Sequence, residues 1–363
     1  MKEESISNKQ MQLFIFCYSI GAYLLFSMGS AVKQDAWIAL IVGIILVIPV
    51  VVMYGRLMNL YPGKNLFQIL EEVFGKVFGK VFSLIFIGNT FFLGSYILND
   101  FVDFIKLTAL FNTPLFIPIL IIGILSIWIL MKGIEVLANW AQFFIRIILI
   151  FIFITSILLI PQMDITNLKP FFSHSIKEIL KEGVALLTFP FSEVFLFLNF
   201  FDCVRYDDKT KNIFIKPLIL GGIVTLIVTI VTIMLLGGEI YSSFYYSGYA
   251  SIKRMQFAGE FQRLEVVVSV AFTIMQFMEV SFCFLGVSKG IQSVFNLKDY
   301  RDILVPVVFL SLNFTYIMFG SVMEAGEFVQ DLWPFYGFFI QIIFPSLVFI
   351  GAIVKKKHFS RLH

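Results

Sequence analysis

The feature that most constrains this chain is a series of apolar runs, each about 18 to 25 residues long, separated by short polar stretches. Ala36 to Tyr54 is one of them, with no charged residue in it. A helix of that length matches the thickness of a hydrocarbon core. The pattern predicts ten spans, at residues 10–31, 36–55, 80–104, 114–131, 137–161, 183–201, 214–237, 264–288, 303–321 and 333–354. The 14% of charged residues is too little to clothe a water-soluble surface, which carries about 25%. The alternation expected of a membrane β-barrel is absent. The fold class is therefore an all-α polytopic membrane protein, read as a single transmembrane domain over residues 1–363.

The apolar run behind the polar start MKEESISNKQ is too long for a signal-peptide core and lacks a small-residue cleavage site. It is expected to remain as the first helix. Cys17, Cys203 and Cys283 are too scattered for a disulfide framework or a zinc site, and no metal or other cofactor is expected. An even number of spans puts both ends on one side. With the ends cytoplasmic, inner segments hold about 18 of the 27 Lys and Arg and outer segments about eight, which favours that orientation. Lys355-Lys356-Lys357 and the stretch from Arg205 to Lys216 contribute most.

Several polar stretches have structure of their own. Behind Pro62-Gly63, the residues Leu66, Ile69, Leu70 and Val73 recur at helical spacing, predicting an amphipathic surface helix over about 64–79. Ser175-Ile176-Lys177-Glu178 has the form of a capping box and predicts a short surface helix. The run IYSSFYYSGY, 240–249, reads as an aromatic belt at the membrane surface.

Polar residues inside the spans carry the functional information, because each must find a partner away from lipid. The third span has Asn89, Tyr96, Asp100 and Asp103; the fifth has Glu135, Asn139, Gln142 and Arg146; the eighth has Ser269, Thr273, Gln276 and Glu279. Counting the helical rise from the inner ends places Arg146, Glu193, Glu279 and Asn89 at roughly 12 to 14 Å depth, with Gly21 and Asn313 near the same level. One intramembrane network of Asn89, Arg146, Glu279 and Asn313 is expected, with Arg146 paired to Glu193 or Glu279.

The stretch TFPFSEVFLFLNF, 188–200, holds Pro190 and Glu193 mid-span. A proline there frees a backbone carbonyl that must be satisfied by water, an ion, a side chain or a ligand. Ile20-Gly21-Ala22 is a second weak point, in the first span. Broken helices at positions one and six of ten stand in corresponding places of a five-plus-five arrangement, which in inverted-repeat transporters marks a midplane substrate site.

These residues resemble the spore germination permease-like proteins, the B subunits of germinant receptors in endospore-forming bacteria. The resemblance runs along Asp35-Ala36-Trp37-Ile38, Tyr61-Pro62-Gly63-Lys64-Asn65-Leu66, Gly75-Lys76 with Gly79-Lys80, Phe189-Pro190 with Glu193, and Phe261-Gln262-Arg263-Leu264-Glu265. It implies the fold of the amino acid–polyamine–organocation transporters, with two inverted repeats of five helices and discontinuous first and sixth helices. It also implies a bacterial spore inner membrane location, partner A and C subunits, a small nutrient germinant such as an amino acid, and no nucleic-acid partner. Mapped by that fold, the ligand residues are Gly21, Ala22 and Tyr23; Tyr96; Phe189, Ser192 and Glu193; and Thr273 and Gln276. Tyr23 stands where such transporters carry the second glycine of a Gly-x-Gly, so a large side chain there shrinks the pocket or covers one side of the ligand. A secondary amino acid transporter, proton-coupled through Glu193 or Glu279, is the alternative. An enzyme is disfavoured, since His174, His358 and His363 lie in a loop and the tail and no span carries a nucleophile–base set.

Overall fold

The computed structural model describes residues 4–205, 212–254 and 264–359, and the described chain is almost entirely helical, with no strand in it. Phe261, Gln262, Arg263, His363, half of the Arg205–Lys216 stretch and the side chains of Ala22 and His358 lie outside the described residues. Helix α1 (Asn8–Ile20) opens with a capping box: Ser7 Oγ accepts from Gln10 N, and Gln10 Oε1 accepts from Ser7 N at 2.9 Å. It stops at Gly21, whose N–H donates to Cys17 O at 3.0 Å, and the chain continues as the short turn Ala22–Leu24. Helix α2 (Ala36–Leu60) follows Asp35, which is fully buried. The Asp35 carboxylate accepts from the N–H of Phe172 and of His174 and from Ser173 Oγ, at 2.8 to 3.0 Å. It thereby ties the loop before the sixth span to the start of the second.

The surface helix and the third span form one helical run, α3 (Leu66–Thr108), folded sharply at Gly75. Gly75 has φ +81, a left-handed conformation that side-chain-bearing residues rarely adopt. The surface helix therefore ends at Phe74 rather than 79, and the spanning part starts directly after the glycine. Asn65 and Gln68 cap its start reciprocally at 3.0 Å, and Leu66, Ile69 and Leu70 are buried as the spacing predicts.

Next come α4 (Phe116–Lys132), α5 (Ile134–Leu159) and α6 (Ile176–Thr188). The capping box at Ser175 does not start a separate surface helix. It opens α6, which runs straight into the break at Phe189-Pro190 and continues as the 3-10 segment Phe191–Cys203. Helix α7 (Ile215–Leu236) leads to two short helices, α8 (Gly238–Ser243) and α9 (Ser247–Arg254). These contain the aromatic run, and instead of lying as a belt it folds inward. Tyr241 and Tyr246 are buried, the Tyr241 hydroxyl donates to Met28 O at 2.6 Å, and the Tyr246 hydroxyl donates to Asp100 O at 3.1 Å. Helices α10 (Leu264–Phe295) and α11 (Arg301–Met318) complete spans eight and nine. The tenth run begins at Val322, well before 333, because Ser321 caps α12 (Val322–Glu327) by accepting from Glu324 N. The acidic residues Glu324, Glu327 and Asp331 hide this start from a hydropathy reading. The run continues through the π-helical Phe328–Leu332, α13 (Trp333–Gly337), the π-helical Phe338–Ile343 and α14 (Phe344–Phe359).

Eight of these runs are long and apolar enough to cross a membrane, and α4 with the broken first helix brings the passes to ten. Spans three and eight pack along each other, as do spans two and six. In the latter seam Gly43 and Gly183 face Leu186 and Val42, and their lack of side chains lets the helices approach closely. Both chain ends lie on one face. Ser5 N–H donates to Glu135 Oε1, Ile6 N–H donates to Cys203 O at 2.8 Å, Arg205 N–H donates to Ile6 O at 3.0 Å, and Glu4 pairs with Arg301. At the other end, Lys355 donates to Glu72 O on the surface helix.

On this same face Lys289 of α10 bonds both Asp202 oxygens at 3.1 Å, and Asn65 Nδ2 donates to Asp202 Oδ2 at 3.3 Å. The Lys289 side chain is 9% exposed and that of Asp202 26%. Removing one partner of a fully buried pair costs about 3–5 kcal/mol; the wetter Asp202 lowers the expectation for Lys289→Met to about 2 kcal/mol. Thermal unfolding of the detergent-solubilised protein measures this, and an unchanged midpoint would show the pair adds no stability.

Candidate functional site

Two helices are interrupted within the apolar interior, at Gly21 and at Phe189-Pro190. The second break follows from chemistry at Pro190, which has no N–H to continue the helix. Phe189 N–H still donates to Ala185 O at 2.9 Å, the Phe189–Pro190 peptide is cis, and Glu193 N–H then donates to Pro190 O at 3.3 Å. The turn so formed aims the Glu193 side chain at the first break.

Glu193 is 1% exposed. Its Oε2 accepts from the Tyr23 hydroxyl at 2.7 Å, and the Tyr18 hydroxyl stands 3.5 Å away. Its Oε1 has no hydrogen-bond partner among the described residues. Tyr23 also meets Phe189 edge to face, with ring centres 5.4 Å apart. The large side chain after Gly21 therefore forms part of the wall and supplies a hydrogen bond. Glu279, 1% exposed on α10, reaches the other break: its Oε1 fills the space that a side chain at position 21 would need. Two carboxyl groups thus sit at two helix breaks, one held by tyrosines and one set against bare backbone.

Two buried polar atoms near them lack a partner among the described residues, Ser192 Oγ next to Glu193 in the chain and Gln276 Oε1 one turn from Glu279, and both amide atoms of Asn89 on α3 are unpartnered as well. A buried group left unpaired costs about 1–3 kcal/mol, so each of these atoms calls for a partner. Gln276 Nε2 donates to Ile97 O at 3.4 Å. Tyr96 is buried on α3, its hydroxyl 3.0 Å from that of Tyr245, which in turn donates to Asp100 Oδ1 at 3.2 Å. The α8–α9 segment thereby closes the site on the side away from the chain ends.

Not every expected residue comes to the site. Thr273 is half-buried and donates its hydroxyl hydrogen to Ser269 O of its own helix at 2.8 Å, which leaves the oxygen only as an acceptor. Asn313 is exposed on α11 and donates to Phe309 O at 2.7 Å, outside any network with Asn89 or Glu279. Arg146 is exposed on α5 and forms no ion pair among the described residues, which overturns its pairing with Glu193 or Glu279. The stripe it belongs to is an outward one: Asn139 and Gln142 are exposed too, while Glu135 and Asn139 receive bonds from Ser5 and Gln10 of the N-terminal segment.

Sequence reasoning missed three contributors. Tyr18 lies one turn ahead of Gly21 in an otherwise apolar run, a signal that was legible. Trp333 and Gln341 of the tenth run were not expected from the pairing of helices one, three, six and eight. Both are fully buried, and neither Trp333 Nε1 nor the Gln341 amide has a partner among the described residues. The Trp333 ring lies 6.0 Å from Tyr96 and 6.1 Å from Phe189. The backbone oxygen of Gln341 accepts from Tyr54, whose hydroxyl also stands 3.5 Å from Ser192 O. Gly337, between them, is closely approached: Thr188 Cβ, Trp333 Nε1 and Gln341 Oε1 stand 3.1 to 3.4 Å from where its own Cβ would be. The π-helical stretches on either side of α13 are departures that often accompany functional sites.

Known proteins share this architecture. MhsT, solved in complex with L-phenylalanine, aligns over 97% of this chain and 89% of its own with a TM-score of 0.69 at 13% identity. Mhp1, a nucleobase-cation-symport-1 family transporter solved closed with bromovinylhydantoin, aligns over 97% and 90% with a TM-score of 0.65 at 12% identity. At such identities the likeness establishes the fold alone: ten helices of the transporter type with the first and sixth broken. Among sequence relatives, spore germination protein KB of Bacillus subtilis (strain 168) is 25% identical over 98% of this chain and 97% of its own length. The putative spore germination protein YfkT of the same organism is 22% identical over 91% and 90%. The sequence pattern of the spore permease family, described as spore germination protein, matches residues 5–328, and the chain is a multi-pass membrane protein belonging to that family.

Proposed function

We propose that this chain is the membrane B subunit of a nutrient germinant receptor, located in the spore inner membrane with both ends cytoplasmic. It holds a small nutrient, an amino acid or a molecule like it, between the broken first and sixth helices. Larger A and lipoprotein C subunits read its occupancy. The observation that carries this reading is Glu193, buried at the junction of the two breaks with one oxygen bonded to Tyr23 and the other open. That open oxygen suits a donor such as an amine, while Trp333 Nε1–H, Gln341 and Ser192 offer partners to the remainder of the ligand. The ring faces of Tyr23, Phe189 and Trp333 give it apolar walls. Binding that favours one arrangement of the breaks over another shifts the population between them, and a partner sensitive to that shift needs no transport step.

The position of Glu279 against Gly21 favours a second reading, a proton-coupled amino acid transporter on the same scaffold. One pair of measurements separates them. For a receptor, spores lacking the chain fail to germinate on the nutrient, and the purified chain in liposomes accumulates no radiolabelled L-amino acid. Uptake by the chain alone, lost in Glu193→Gln, makes it a transporter.

A further inference from the structure

Helix α5 crosses the membrane with one face turned away from the bundle. Along it Val136, Phe143, Ile150, Phe153 and Ile157 are 39%, 60%, 56%, 67% and 47% exposed, a continuous stripe at helical spacing. Such a stripe is what lipid calls for, except at its centre. There Arg146 is exposed as well, between Phe143 and Ile150, with Gln142 beside it. Arg146 lies in the middle of the 26-residue helix, about 18 Å of helical rise from Ile134. It makes no hydrogen bond or ion pair among the described residues.

A guanidinium at that depth cannot be left to hydrocarbon. An isolated intramembrane arginine is costly, and those that persist face a protein interior, a wet cavity or an opposite charge. Arg146 faces none of these within its own chain, since the carboxyl groups at comparable depth, Glu193 and Glu279, are both buried on other helices. For the same reason a second copy of the chain has no mid-membrane carboxylate to present to it. A helix of another protein that carries such a carboxylate would supply the missing partner.

We propose that the outward face of α5, centred on Arg146 and Gln142, docks a transmembrane helix of a partner protein that carries an Asp or Glu near its middle. The guanidinium fork takes the carboxylate through paired hydrogen bonds, Gln142 offers a further amide bond, and the exposed phenylalanines pack against the partner's apolar side chains. This goes beyond the proposed nutrient site and stands whether or not that site binds an amino acid.

The test uses the full chain in phosphatidylcholine bilayers and three synthetic 20-residue polyleucine helices, with Glu, Gln or Leu at the centre. Energy transfer between labels on chain and peptide reports association. The Glu helix is expected to associate at least about tenfold more strongly than the Leu helix. Arg146→Leu removes that preference and Arg146→Lys keeps most of it. Equal association of all three helices overturns the proposal, as does a Glu preference that survives Arg146→Leu. Arg146-dependent pairing of the chain with itself, or Arg146-dependent enrichment of anionic lipid without any Glu preference, assigns the face to those occupants instead and overturns it too.

Discussion

Glu193→Gln is expected to weaken binding of an amine-bearing nutrient by roughly 10- to 100-fold while leaving the fold intact. A hydrogen bond to a charged group contributes about 1.5–3 kcal/mol, and each 1.4 kcal/mol is a factor of ten. The amide keeps the shape of the carboxylate and one carbonyl oxygen, so it still accepts from the Tyr23 hydroxyl. What it loses is the charge that holds an ammonium, and it gains an N–H that opposes one. Ligand-dependent stabilisation of the solubilised protein measures the change. Unaltered affinity with an unaltered unfolding midpoint would remove Glu193 from the ligand. Glu193→Ala is the contrasting variant: it strands the Tyr23 hydroxyl in a buried place and is expected to lower stability as well.

Gly21→Ala is expected to cost about 3 kcal/mol or more, at the upper end of what an added methyl does in a packed interior. The new Cβ takes the position of Glu279 Oε1, and the carboxylate has to leave. An exposed glutamate would swing aside at little cost. Glu279 is 1% exposed, and moving a carboxyl group within an apolar interior separates it from whatever satisfies it. A double-mutant cycle isolates the effect. Glu279→Ala makes room, so Gly21→Ala combined with Glu279→Ala should recover about 1–3 kcal/mol relative to the sum of the single changes. Simple additivity would mean that the glycine is kept for backbone freedom and not for the approach of Glu279.

The ten passes, the two breaks and the surface helix were legible because each has a local cause: an apolar run of bilayer length, a proline or glycine, a capping residue. Glu193 was legible for the same reason, as a charge beside a proline at membrane depth. Arg146 shows the limit. Its spacing from Glu135, Asn139 and Gln142 places all four on one face of α5, but a periodicity does not say which neighbour that face meets. In a membrane the lipid side and the core side are both apolar, so the usual inference that the polar side is the outer one has no purchase. The expectation that polar stripes face inward held for α3 and failed for α5. The inward fold of Tyr241, Tyr245 and Tyr246 was hidden differently, since aromatic residues near a span end suit a headgroup layer and a cap equally well. Trp333 and Gln341 lay beyond reach because α-helical spacing misplaces residues across the two π-helical stretches.

The N-terminal segment has a practical consequence for anyone who handles this protein. Ile6 is hydrogen-bonded to Cys203 and Arg205, at the end of the broken sixth helix, and Glu4 is bonded to Arg301. A reporter or affinity tag fused ahead of residue 4 therefore hangs its load on the helix that carries Glu193. One fused behind the lysine cluster loads instead the contacts of that cluster, Lys355 with Glu72 O and Lys356 over the Tyr61 ring. A purification handle therefore belongs at the back.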